Sequence, residues 1–149
     1  MNVFEQIIHS KFIYIPFLLW FAIQLFKVVS ELVKNKKLDV KRIVGAGGMP
    51  SSHSAIVCSI AVLIGKEYGF DSGIFALSTI FAFIVMYDAT GVRRAAGKQA
   101  RILNKILENP GLTTGEVQEK LIEALGHTPI QVFVGAFVGI IVAAIFSKI

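Results

Sequence analysis

Residues 12–33 read FIYIPFLLWFAIQLFKVVSELV, an apolar run broken only by Pro16, a few polar residues such as Gln24, and Lys27. As a helix it is long enough to cross the ~30 Å hydrocarbon core of a bilayer, which takes about 20 apolar residues. Three further apolar runs follow, at 54–65, 74–87 and 129–146. The two middle runs are short for spans, for which ~17–25 residues are usual. Either their ends extend through polar residues, or they form a buried helical pair. No stretch alternates apolar and polar residues between turn signals, so strand content is expected to be negligible. The expected fold is all-α: a polytopic helical membrane bundle with about four membrane helices and a helical cytoplasmic connection.

Composition agrees. The 149 residues suit one domain, 1–149; 54% are hydrophobic, 17% are charged, and the mean hydropathy is +0.68. Soluble domains lie near ~45–50% apolar and ~25% charged. The net charge of +5 does not point to nucleic acid, because the charges fall between apolar runs and not along one soluble face. Cys58 is the single cysteine, which excludes an internal disulfide framework and a zinc-type spacing; it reads as a small packing residue. Residues 2–10 carry Glu5 but no Lys or Arg, and no small-x-small pattern follows the first run, so that run is expected to remain as a helix.

Lys and Arg in the connections set the orientation. Residues 34–42 hold Lys34, Lys36, Lys37, Lys41 and Arg42 against Asp39. The long polar connection 88–126 holds Arg93, Arg94, Lys98, Arg101, Lys105 and Lys120. Both are expected in the cytoplasm. The short turn 66–73, with Gly69 and Gly73, and both termini are expected outside, with Lys11 and Lys148 as weak opposing charges. Within the long connection, residues 95–107 suit a helix with Ala96, Ala100, Leu103 and Leu107 on one side. Asn109, Pro110 and Gly111 break it. Thr113 or Thr114 then caps a second helix over 115–125, with Glu116 at capping-box spacing from Thr113 and Gly126 at its C-terminus.

Three segments carry chemistry. Residues 47–54 read GGMPSSHS, at the start of the second run. Gly47 and Gly48 let the backbone approach a ligand, Pro50 stiffens the turn, and Ser51 or Ser52 suits a helix N-cap. A helix N-terminus preceded by glycines and hydroxyls favours anions, and His53 there suits general acid or base work near neutral pH. Residues 87–99 read YDATGVRRAAGKQ. Arg93, Arg94 and Lys98 suit phosphate, and Gly91 and Gly97 suggest close backbone approach. Asp88 could orient a His, bind an Arg or hold a metal. Residues 126–135 read GHTPIQVFVG; His127 falls at a membrane boundary on the His53 side, with Gln131 one helical turn later. Lys27 is either a functional group at membrane depth or a snorkelling one. His9 has no partner motif.

These residues resemble a known superfamily. Type 2 phosphatidic acid phosphatases and vanadium haloperoxidases carry a Pro-Ser-Gly-His motif. A later block holds Ser-Arg, a His, and an Asp four residues on, then Val and Gly. Pro50, Ser51, Ser52 and His53 are similar to the first, with Ser52 for Gly. His127, Gln131, Val132 and Gly135 are similar to the second, with Gln131 for Asp and Lys120-Leu121 for Ser-Arg. Nearly the whole chain resembles the divergent bacterial and plant branch, marked by Gly-Gly-Met-Pro-Ser-Ser-His-Ser, Tyr-Asp-Ala-x-Gly-Val-Arg-Arg and Leu-Gly-His-Thr-Pro.

The resemblance implies His127 as nucleophile, forming a phosphohistidine, and His53 as general acid. It implies phosphate contacts from Ser51 and the Ser52 amide. Gly48, Arg93, Arg94, Lys98 and Lys27 complete the expected phosphate set, with Lys34, Lys41 or Arg42 as other sources of charge. Asp88 is expected to take over the missing Asp's role. The expected function is hydrolysis of a lipid phosphate at the cytoplasmic face of the cell membrane. The alternative is a non-catalytic protein that binds, senses or moves a phosphorylated lipid or anion. No cofactor, no metal and no nucleic-acid partner are expected.

Overall fold

The computed structural model describes residues 2–36, 48–108, 121–122 and 125–148. Among these the chain forms six helices and no strand. They are α1 (Val3–His9), α2 (Lys11–Asn35), α3 (Ser52–Tyr68), α4 (Gly73–Thr90), α5 (Val92–Leu107) and α6 (Pro129–Phe146). The four apolar runs are the cores of α2, α3, α4 and α6. The two short runs lengthen through polar ends: α3 takes in Ser52 and His53, and α4 takes in Asp88 and Thr90.

The expected second helix at 115–125 lies largely outside the described residues. Its described members Leu121, Ile122 and Leu125 are not helical. Asn104 bonds both backbone groups of Leu121, donating to its carbonyl and accepting its N–H, each at 2.9 Å. A segment whose amide and carbonyl are bonded to a side chain is tied down without a helix.

Among the described residues, three stretches are long and apolar enough to cross a membrane: Lys11–Val33, Gly73–Leu107 and Pro129–Phe146. Their exposed faces are apolar: Phe17 and Phe26 on α2, Phe81 and Ile84 on α4, Phe133 and Phe137 on α6. In water such continuous apolar exposure is untenable; against lipid it costs nothing. The protein is a helical membrane bundle.

Helix α3 is its centre, packed against α2, α4 and α6. Its 17 residues span about 25 Å at ~1.5 Å per residue. Lipid tails are as apolar as Leu, so burial alone does not hold helices together here; close packing of small residues does. Gly135, Gly139 and Ala143 recur every fourth residue on α6. A Cβ at Gly135 would collide with the Ser51 carbonyl, and one at Gly139 with the Ala55 carbonyl. Facing them, Ala55 and Ser59 are wholly buried.

Alternating helix directions sort the polar groups to two ends. At one end Lys11 of α2 pairs with Glu67 of α3 at 2.8 Å. There Lys66 Nζ also donates to the Ala144 carbonyl and the Ser147 hydroxyl, each at 2.9 Å. The opposite end gathers the C-terminus of α4 and the N-termini of α3 and α6. Both candidate histidines lie there.

Candidate active site

Ser51 is the N-cap of α3: its Oγ accepts the Ser54 N–H at 3.4 Å and the Ser54 hydroxyl at 3.0 Å. Its own N–H donates to the Gln131 carbonyl at 3.0 Å. Ser51 and Ser54 are completely buried. The Ser51 hydroxyl thus serves the helix start and is turned inward. The cap points the N-terminal amides of α3 outward, with His53 exposed in the first turn. Gly48, at φ +80°, adopts the left-handed backbone that glycine accepts without strain.

His127 arrives from the other side. Its N–H donates to the Ala89 carbonyl at 3.1 Å, satisfying a carbonyl in the last turn of α4. Gly126 has a different role from the helix ending expected of it. A Cβ there would collide with the Arg94 backbone, so glycine lets this segment cross the first turn of α5. His127 is buried, and its ring centroid lies 6.4 Å from that of His53.

The two rings line a cavity of about 200 Å³ with Asp88, Arg93, Ile84, Val85, Ala89 and Leu125. Arg93 Nε donates to Asp88 Oδ2 at 2.6 Å across the α4–α5 junction. Of the three roles open to Asp88, this contact is the one it makes. A guanidinium carries five N–H donors, so both terminal nitrogens remain beyond this bond. Among the described residues, no three His, Cys, Asp or Glu side chains converge as a metal site would need.

Gln131 is the third residue of α6 and closes a capping box. Its Oε1 accepts the Thr128 N–H at 2.9 Å, and Thr128 Oγ1 accepts the Gln131 N–H at 3.4 Å. The same Oε1 lies 3.3 Å from His127 Nδ1. An oxygen already held as an acceptor selects the tautomer with the proton on Nδ1. Nε2 then carries the lone pair. Burial pushes the imidazole below its ordinary value of 6.5; the Gln131 bond opposes this, and Lys27, His53 and Arg93 reinforce it. The neutral, nucleophilic form is favoured.

The remaining candidates are distributed elsewhere. Arg94 and Lys98 are exposed on α5 and do not line the histidine cavity. Lys27, only 6% exposed, is turned into the bundle, so it does not snorkel. It lines a second cavity of about 900 Å³ with Gly48, Met49, Pro50 and Gln131 at one end and Leu19, Val138 and Val142 along the walls. Ser52 is buried beside the α3 N-terminus. Lys41, Arg42 and Gly47 lie outside the described residues, as does the side chain of Lys34. Ile84, Val85 and Ala89 form an apolar wall that sequence reasoning missed, although their spacing with Asp88 marks one face of α4.

A membrane protein of Bacillus subtilis (strain 168), the uncharacterized membrane protein YuiD, is 42% identical over 135 residues, which is 83% of this chain and 85% of that protein. No solved structure matches the chain. The divergent PAP2 family matches residues 8–142, which takes in both histidines and the helices that carry them, and the chain belongs to that family.

Proposed function

We propose that the protein is a phosphohydrolase that acts on a lipid phosphate through a phosphohistidine on His127. The observation that carries the reading is the pair of imidazoles facing one cavity with Arg93 in its wall. In the first step Nε2 of His127 attacks phosphorus and the ester P–O bond breaks. The His53 imidazolium gives its proton to the departing alkoxide. In the second step His53 takes a proton from water, which attacks phosphorus and releases His127 and inorganic phosphate. The Arg93 terminal nitrogens and the α3 N-terminal amides hold the equatorial oxygens, whose charge must be neutralised throughout.

An amphiphilic substrate is supported by the second cavity. Its apolar walls follow α6 from Gln131 to Val142, about 16 Å at ~1.5 Å per residue. Gln131 lines this cavity and contacts His127, which lines the other, so the two cavities lie on either side of that pair. The excess of Lys and Arg in the flanking connections supports a cytoplasmic location for this end.

Purified protein is expected to release phosphate from single-chain or double-chain lipid monophosphates, and His127→Ala to abolish release while remaining folded. No release from any of these by folded protein overturns the reading. Labelling of Gln99→Cys only from outside intact cells overturns the assigned face. One observation favours a second reading, binding or transport without hydrolysis: neutral Gln131 stands where catalytic relatives of the wider superfamily are expected to carry Asp. An inert parent made active by Gln131→Glu decides for it.

A further inference from the structure

Helix α5 has three distinct faces at about 100° per residue. Gly97, Ala100 and Asn104, which are its buried residues, fall within an arc of about 60°. Arg94, Lys98, Arg101 and Lys105 fall within a second arc of about 60°, next to the first. Val92, Ile102, Leu103 and Ile106 fall within a third of about 100°, which also includes Gln99. These four apolar residues are 66%, 60%, 49% and 45% exposed. Among the described residues of α5, only those of the first face are buried.

We propose that α5 lies in the membrane–water interface and that its cationic stripe docks on anionic lipid head groups. Continuity supports a membrane and not another protein as the partner. The exposed rings of Phe83 and Tyr87 stack at 6.4 Å on the lipid-facing side of α4, and Val92 follows one residue past Gly91. The apolar stripe of α5 therefore begins where the lipid-facing surface of α4 ends. Charge supports the lipid class. A helix with its apolar face among acyl chains holds a flanking basic stripe at phosphate depth. Each basic residue near an anionic surface favours association about fivefold. The Asp88–Arg93 pair ties the last turn of α4 to the first turn of α5, so docking α5 fixes the wall of the histidine cavity against the bilayer surface.

The test uses the full chain with Cys58→Ala, reconstituted in vesicles of phosphatidylcholine alone or with phosphatidylglycerol. A fluorophore is placed at Ile106→Cys. Lipid-borne nitroxide is expected to quench it severalfold more than aqueous iodide, with deeper insertion when phosphatidylglycerol is present. Lys98→Glu with Lys105→Glu, or high salt on the unchanged helix, is expected to remove that dependence on anionic lipid. Quenching by iodide in both membranes overturns the proposal, because the helix is then in water. Protection from both quenchers overturns it in favour of a protein partner or second copy. Insertion unaffected by phosphatidylglycerol overturns the anionic docking.

Discussion

Gln131 Oε1 holds His127 Nδ1 at 3.3 Å while accepting the Thr128 N–H at 2.9 Å, so one side chain both starts α6 and orients the candidate nucleophile. The two duties predict separable effects. Gln131→Ala removes both: turnover is expected to fall about 100-fold, as misplaced catalytic groups do, with a stability loss of about 1 kcal/mol from the cap. Gln131→Glu keeps the capping-box geometry, since either residue type closes it, and is expected to retain stability and raise turnover. Equal turnover in Gln131→Ala and the parent sinks the orienting role.

The depressed pKa of His127 gives a pH signature. The proton-free imidazole attacks, so the acid limb of kcat/KM is expected below the ordinary 6.5, burial being the chief cause. Gln131→Glu places a carboxylate beside the ring and is expected to move that limb up by ~1 unit or more. Stability follows by linkage. The unfolded chain protonates His127 near 6.5 and the folded chain only at lower pH. The folded state is therefore favoured above 6.5 and loses this advantage as pH falls from 6.5 to the folded value. Thermal unfolding of His127→Asn is expected to depend less on pH across that window. An unchanged dependence assigns it to other groups.

Much of the fold was legible because hydropathy and helix signals are local. The fourth apolar run and α6 have the same limits, Pro129–Phe146, since proline suits a helix start. Ser51 was readable as a cap, but not that capping consumes its hydroxyl. Local sequence places a hydroxyl at a helix start; only the α3–α6 contact decides which way it turns. The same holds for Gly126, whose reason lies with Arg94, distant in sequence. Arg93 and Arg94 are adjacent and alike in type, yet helix geometry separates them by about 100° and only Arg93 reaches the cavity.

The glycines of α6 predict a graded effect. Gly139→Ala pushes α6 off the Ala55 carbonyl deep in the bundle, and Gly135→Ala pushes it off the Ser51 carbonyl at the site end. Each is expected to cost about 1–3 kcal/mol, the usual range for overpacking. Only Gly135→Ala also displaces the N-cap that aims His53, so it is expected to lose far more activity at equal destabilisation. Unfolding midpoints in detergent, measured beside phosphate release, separate the two. Equal activity in both variants removes the link between Gly135 and the site.

The Asp88–Arg93 pair separates positioning from stability. Both side chains are substantially exposed, at 38% and 52%. Exposed ion pairs contribute ~0–1 kcal/mol, so Asp88→Asn is expected to leave the unfolding midpoint almost unchanged. Its effect should fall on kcat/KM, because the guanidinium loses the anchor that holds it in the cavity wall. Arg93→Ala is expected to lower kcat/KM about 100-fold, on the scale of one lost donor to developing charge. Arg93→Lys should recover little of that, since an ammonium cannot hold Asp88 and a phosphoryl group through one planar fork. A lysine variant with full activity means that only point charge is needed there, and that the 2.6 Å contact is incidental to binding.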